Sequence, residues 1–292
     1  MESVPEKNGS NVPSFLTAGV TIQSLFSKVR MDSLELRMLL EKALGFSRVK
    51  LITHADQALT DGQARAVSAV LSRRLAGEPV AYIVGSREFY GLSFEVNADV
   101  LIPRPETELL VDLALERLPT GGKVVDLGTG SGAIAVALAF MRPDADVTAT
   151  DVSVKALAVA KKNAMAHLKK GRTIRFRQGS WFDALNGEAG FDLIVSNPPY
   201  IHPSDGHLQR GDLRFEPVGA LTDCVDGLSA LNELVSRGPT CLKPGGWLLM
   251  EHGYDQSEAV VALLRRRGFD SVRSWKDLAG IDRVSGGQWH GK

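Results

Sequence analysis

Apolar positions follow two different periods along the chain, and the change of period marks its organisation. Up to about residue 85 they recur at helical spacing. Leu36, Leu39, Leu40 and Leu44 form one stripe, opened by Asp32 with Glu35 at capping-box spacing and stopped by Gly45. Val67, Val70, Leu71 and Leu75 form another, after Thr60 with Gln63 and before Gly77 and Pro79. A small domain of four or so helices is predicted. Between Ser86 and Asn97 the pattern becomes alternation: Phe89, Leu92, Phe94 and Val96 flank a Tyr90-Gly91 turn, which predicts a hairpin. A helix follows from Leu109 to Leu118, with Pro105 able to start it and Glu106 and Glu108 suited to its positive end.

From Gly121 onward apolar runs of strand length alternate with helical segments. Strands are predicted at Lys123 to Leu127, Val147 to Thr150, Thr173 to Gln178, Phe191 to Ser196, Gly246 to Glu251, Ser271 to Trp275 and Ile281 to Ser285. Helices are predicted at Ala133 to Met141, Val154 to Leu168, Leu228 to Arg237 and Glu258 to Arg267. Such alternation argues for an α/β fold with a mostly parallel sheet and crossover helices.

Composition narrows the picture. A chain of 292 residues is long for one core, so one large domain with a smaller one is expected. Lys+Arg 34 balances Asp+Glu 34, so no overall field draws the chain to nucleic acid or an acidic membrane. The two cysteines, Cys224 and Cys241, have no metal-ligand spacing and are too few for a disulfide framework. The N-terminus lacks a basic stretch followed by an apolar one, and the run from Ala133 to Met141 is too short to span a bilayer. These features point to a cytoplasmic protein with neither metal nor membrane.

Candidate chemistry gathers at the predicted strand ends. Asp126-Leu127-Gly128-Thr129-Gly130-Ser131-Gly132 lies where the first strand turns into a helix, so glycines bring backbone close to a ligand beside free helical N–H groups. The alternating glycines and preceding acid depart from the Gly-x-Gly-x-x-Gly dinucleotide spacing and favour S-adenosylmethionine. Asp151 ends the second strand, where a carboxylate can accept from ribose hydroxyls or cap the next helix. Trp181 follows the third strand, placed either to edge an adenine ring or to fill the core. After the fourth comes Asn197-Pro198-Pro199-Tyr200. Two prolines stop the strand and stiffen the loop. What remains is rich in acceptors, the Asn197 side-chain oxygen and the Pro198 carbonyl, with Tyr200 available to lie against a planar –NH2 group. An amide or exocyclic amine nitrogen suits that loop.

Together with Glu78-Pro79-x-x-Tyr82-Ile83-x-Gly85, Glu88-Phe89-Tyr90-Gly91 and Ile102-Pro103-Arg104-Pro105-Glu106-Thr107-Glu108, these motifs make the chain resemble the peptide-chain release factor N5-glutamine methyltransferase family over nearly its whole length. The resemblance implies a class I S-adenosylmethionine-dependent methyltransferase, Rossmann-like with a seven-strand mostly parallel sheet, an N-terminal helical domain and a β-hairpin linker. Its boundaries would be a tail at 1–14, helices at 15–85, linker at 86–104, methyltransferase domain at 105–286 and a C-terminal tail at 287–292. It implies methyl transfer from S-adenosyl-L-methionine, giving S-adenosyl-L-homocysteine, to the glutamine of the Gly-Gly-Gln motif of release factors, by a monomer that binds no nucleic acid directly. Carried over, Gly128, Thr129, Gly130, Ser131, Gly132, Asp151, Trp181 and Asn197 contact the cofactor. Asn197, Pro198, Pro199 and Tyr200 contact the glutamine, with Asn197, Pro198 and Tyr200 catalytic. The Asn-Pro-Pro-Tyr loop is shared with adenine-N6 methyltransferases, so a nucleic-acid enzyme is the alternative, and an inactive cofactor-binding module another. Gly286-Gly287-Gln288 spells the motif that such an enzyme modifies, and is expected to be a strand end running into a loose tail.

Overall fold

Helix starts in the N-terminal part follow the chemistry of their caps. The computed structural model describes residues 18–291, in two compact units, the first ending at Gly85 and the second starting at Ser86. The first unit contains α1 (Ile22–Lys28), α2 (Ser33–Leu44), α3 (Arg48–Thr53), α4 (Asp61–Leu75) and α5 (Val80–Val84). Asp32 accepts from the N–H groups of Leu34 and Glu35, and α2 ends at Gly45 with φ 64°. At α4 the Thr60 and Gln63 side chains bond reciprocally, a closed capping box. Glu35 does not close the equivalent box. It pairs instead with Arg74 on α4, Nη2 to Oε1 2.9 Å. Leu36, Leu39 and Leu40 pack with Val67 and Leu71 to form this unit's core.

The second unit opens with the hairpin of β1 (Ser86–Phe89) and β2 (Leu92–Glu95), paired antiparallel through the Tyr90-Gly91 turn. A 3-10 turn (Pro105–Thr107) leads into α6 (Glu108–Arg117). Then come β3 (Lys123–Leu127), α7 (Ala133–Met141), β4 (Asp146–Asp151), α8 (Val154–His167), β5 (Arg175–Gln178) and β6 (Phe191–Ser196). The remainder is α9 (Val218–Leu221), α10 (Ser229–Cys241), β7 (Leu242–Glu251), α11 (Ser257–Arg267), β8 (Asp270–Lys276) and β9 (Asp282–Trp289). The seven strands run in the order β5-β4-β3-β6-β7-β9-β8, with β9 antiparallel to both neighbours and the rest parallel. Strand order reverses between β3 and β6, the crevice where open α/β sheets hold ligands.

The hairpin, expected as a linker, falls within the second unit and packs into its core. Phe89 and Phe94, both fully buried, share one core with Leu110, Val111 and Leu138. Glu108, expected only to favour the helix's positive end, also accepts from the Tyr90 N–H at 2.8 Å. Asn163 on α8 fastens the other strand: its Oδ1 accepts from Glu95 N, and its Nδ2 donates to the carbonyls of Glu95 and Ser131.

The C-terminal end departs from expectation. β9 continues through Gly286-Gly287-Gln288, which pair with Leu249, Leu248 and Trp247 of β7, so no loose tail begins at 287. Packing explains the glycines. A Cβ at Gly286 would lie 2.5 Å from the Leu248 carbonyl oxygen, and one at Gly287 2.9 Å from Phe269 Cβ. The Gln288 side chain donates to the Gly245 carbonyl at 2.9 Å. Helix α10 likewise runs past Arg237 to Cys241, carrying Gly238 and Pro239 inside its buried last turn. Among the described residues no helix is long and apolar enough to cross a membrane.

Candidate functional site

Strand β3 delivers a buried carboxylate to the base of the glycine loop. Asp126 is fully buried, accepts from Thr129 Oγ1 at 2.6 Å, and is pushed up to about 7 by that burial, against the Thr129 hydroxyl and the Ala135 N–H. The loop then folds back on β4. Gly128 N and Thr129 N both donate to the Thr150 carbonyl, at 3.0 and 2.8 Å, and Gly130 N donates to Asp151 Oδ2 at 2.9 Å. The loop amides are therefore largely engaged within the protein, instead of standing free towards a ligand. All three glycines have positive φ, but their surroundings differ. A Cβ at Gly128 would touch the Trp181 ring at 3.4 Å, one at Gly130 would enter open space, and one at Gly132 would meet Ala160 Cβ at 3.0 Å. Gly132 serves the contact between α7 and α8.

Asp151 does not cap α8. That position is filled by Ser153, whose hydroxyl accepts from Ala156 N, while Asp151 Oδ1 accepts from Ser153 N at 2.8 Å. Burial raises the Asp151 pKa, and the N–H groups of Ser153, Gly130 and Val152 oppose it. Trp181 adopts a positive φ of 43° at the start of a 3-10 turn. Its half-buried ring packs on the core and on Gly128, and it also lines the cavity described below.

At the end of β6 the Asn197 side chain points to the Pro105–Thr107 turn, with Nδ2 donating to Thr107 Oγ1 at 3.2 Å. That bond leaves Oδ1 as the acceptor end of the carboxamide. Tyr200 turns the other way. Its hydroxyl donates to Glu251 Oε1 at 3.0 Å, and its carbonyl accepts from Gln256 Nε2. Burial raises the pKa of both Tyr200 and Glu251.

These elements surround a cavity of about 750 Å³. Gly128, Thr129, Gly130 and Ser131 form one wall, continued by Asp151 and Trp181. Asn197 and Pro199 stand on the same wall system, whereas Gly132, Pro198 and Tyr200 do not line it. Tyr200, expected to lay its ring against the bound amine, is held behind the loop because its buried hydroxyl requires the Glu251 acceptor.

Comparison with known proteins identifies the family. The Methyltransferase small domain matches residues 105–210, and the PrmC N-terminal domain matches residues 22–85. A release factor glutamine methyltransferase of Neisseria gonorrhoeae is 51% identical over 261 residues, covering 89% of this chain and 94% of that protein. One from Bordetella pertussis is 51% identical over 268 residues, covering 91% and 98%. The chain belongs to the release factor glutamine methyltransferase family. Among solved structures, a 16S rRNA N2 G1207 methyltransferase of T. thermophilus, in complex with AdoMet and guanosine, superposes with TM-score 0.52 at 22% identity, over 70% of this chain and 49% of that one. That likeness supports a class I methyltransferase fold.

This member of the release factor glutamine methyltransferase family places further residues at its cavity which strand-end reasoning passed over. Thr107 lay inside a motif whose acids alone drew notice. Arg104 reaches the wall and is ion-paired to the buried Glu216, which also accepts from Ile102 N at 3.0 Å. Asp223 also lines the cavity. Partial burial works to raise its pKa, but the Ser229 hydroxyl and the N–H groups of Val225, Gly227 and Ser229 outweigh it and hold it at about 2. Asp223, Asp226, Gly227 and Ser229, close together in the sequence, were the available clue.

Proposed function

We propose that this chain transfers a methyl group from S-adenosyl-L-methionine to the side-chain amide nitrogen of the glutamine in the Gly-Gly-Gln motif of peptide-chain release factors. The observation that carries the reading is that Asn197 and the Gly128–Ser131 loop line one cavity. The residues fit the cofactor. Asp151 brings a carboxylate for a diol, the Trp181 ring offers a flat face, and the space beside Gly130 admits a group that any Cβ would displace. When bound, S-adenosylmethionine supplies an electrophilic methyl on a sulfonium.

The protein's own task is to orient a poor nucleophile. A carboxamide nitrogen shares its lone pair with its carbonyl, so acceptors on its two hydrogens favour the charge that grows on nitrogen during transfer. Asn197 Oδ1 takes one of those hydrogens; the Pro198 carbonyl, expected to take the other, does not line the cavity. Such fixed contacts are worth about 3 kcal/mol each, and alignment with the methyl adds the entropic advantage of a held reactant. Tyr200 and Glu251 brace the loop from behind. The even charge balance supports a protein substrate rather than a phosphate backbone.

A labelled-methyl assay on a release factor, with a Gln→Asn control in its Gly-Gly-Gln motif, tests the reading. Label is expected on the wild-type factor alone and is expected to vanish with Asn197→Ala. Label on DNA but not on release factor would overturn it.

A further inference from the structure

The carboxamide of Asn197 can present either of its ends to a substrate, and only one is useful. Turned with Oδ1 outward it accepts a hydrogen from a substrate –NH2. Turned with Nδ2 outward it opposes donors to donors. Nothing in Asn197 itself chooses between the two.

The choice is made by a neighbour distant in sequence. Thr107 is buried and on the cavity wall, and its Oγ1 accepts from Asn197 Nδ2 at 3.2 Å. A threonine hydroxyl could equally donate to Oδ1, which would favour the opposite orientation. In the structure it accepts, so Nδ2 is the end that is held and Oδ1 the end left outward. Behind the loop Glu251, at the end of β7, is buried to 1% exposure, and that burial raises its pKa against the Thr107 and Tyr200 hydroxyls. The Tyr200 hydroxyl donates to Oε1, while Oε2 is buried with no hydrogen-bond partner among the described residues. The segment bearing Thr107 is itself fixed, because Arg104 and the Ile102 N–H are both held by the buried Glu216.

We propose that Thr107 is a positioning residue, whose hydroxyl locks the Asn197 carboxamide with Oδ1 towards the substrate amide. This deepens the glutamine-methylation reading and rests on it. The hydrogen bonds run outward in order: Thr107 accepts from Asn197, and Asn197 accepts from the glutamine.

The test compares wild type with Thr107→Val, which keeps the shape without the hydroxyl, and Thr107→Ser, which keeps the hydroxyl. With a release factor as substrate, Thr107→Val is expected to lower kcat about 10- to 100-fold. The KM for the release factor and the cofactor Kd by calorimetry are expected to stay within about twofold, and Tm within about 3 °C. Thr107→Ser is expected to recover most of the lost kcat. A second readout is independent of turnover: one Asn197 Nδ2 proton resonance is expected to move in Thr107→Val and to keep its position in Thr107→Ser. Wild-type kcat in Thr107→Val, a loss confined to KM, a serine variant as poor as the valine one, or an unmoved Asn197 resonance would each overturn the proposal. Absence of transfer by the wild-type chain would overturn the methylation reading, while the resonance experiment would still decide whether Thr107 anchors Asn197.

Discussion

Two glycines of one loop are expected to fail in different ways when given a methyl group. Gly132 and Gly130 both have positive φ, 82° and 55°. Placing alanine in that region costs about 1–2 kcal/mol by backbone strain alone. At Gly132 the new Cβ also lies 3.0 Å from Ala160 Cβ and 3.1 Å from its Cα. Helices α7 and α8 must then part by a few tenths of an ångström, an overpacking cost of about 1–3 kcal/mol. The two contributions sum to about 2–5 kcal/mol. At about 2–4 °C per kcal/mol for a unit of this size, Gly132→Ala should lower Tm by about 4–20 °C. At Gly130 the Cβ meets nothing within 4 Å and faces the cavity. Only the backbone strain applies, so Tm should fall by about 2–8 °C. Cofactor affinity should fall by about tenfold or more, since about 1.4 kcal/mol of lost contact suffices. Differential scanning fluorimetry and calorimetric titration with S-adenosylmethionine measure the two quantities. A Gly132→Ala protein with unaltered Tm, or a Gly130→Ala protein with unaltered affinity, would refute the division of labour.

Three other outcomes follow from the packing and the charges. Phe89→Ala removes a fully buried ring from the core of the catalytic unit and should cost about 3–5 kcal/mol, read as a lower urea midpoint; a cost under about 1 kcal/mol would mean that the hairpin is peripheral. Gly286→Ala drives a Cβ to 2.5 Å from the Leu248 carbonyl oxygen, which cannot move without breaking the ladder to β7. It should destabilise by at least about 3 kcal/mol in the same measurement. Asp126, with a folded pKa near 7 against an unfolded 3.8, contributes stability that is complete below about pH 4 and is lost as pH rises through 7. At 1.36 kcal/mol per unit the change is about 4 kcal/mol, so the stability difference between wild type and Asp126→Asn should shift against wild type by that order between pH 4 and 8, and a difference that is flat with pH would refute it.

What was legible in the sequence was whatever is decided locally. Capping at Asp32 and Thr60, the turn at Tyr90-Gly91 and the proline stop after Ser196 are short-range events, each written in adjacent residues. The strand ends of β3, β4 and β6, and the turn after β5, could likewise be placed, so Gly130, Asp151, Trp181 and Asn197 were found together. What escaped depends on partners far away in the chain. Thr107 meets Asn197 across 90 positions, and Glu216 holds Arg104 across 112. No spacing rule reaches that far. The extension of β9 was hidden for a different reason. Gly286 and Gly287 weaken a strand by propensity, and only the closeness of β7 and Phe269 requires them. Gly132 looked like its neighbours in the motif, although its environment is the flank of α8.

The single side chain of Asn163 has an implication for anyone rebuilding this protein. Because one carboxamide grips both Glu95 and the Ser131 carbonyl, the hairpin is not an interchangeable cassette. A graft from a distant relative would have to bring a matching residue on α8, or leave the ligand loop without its lateral tether.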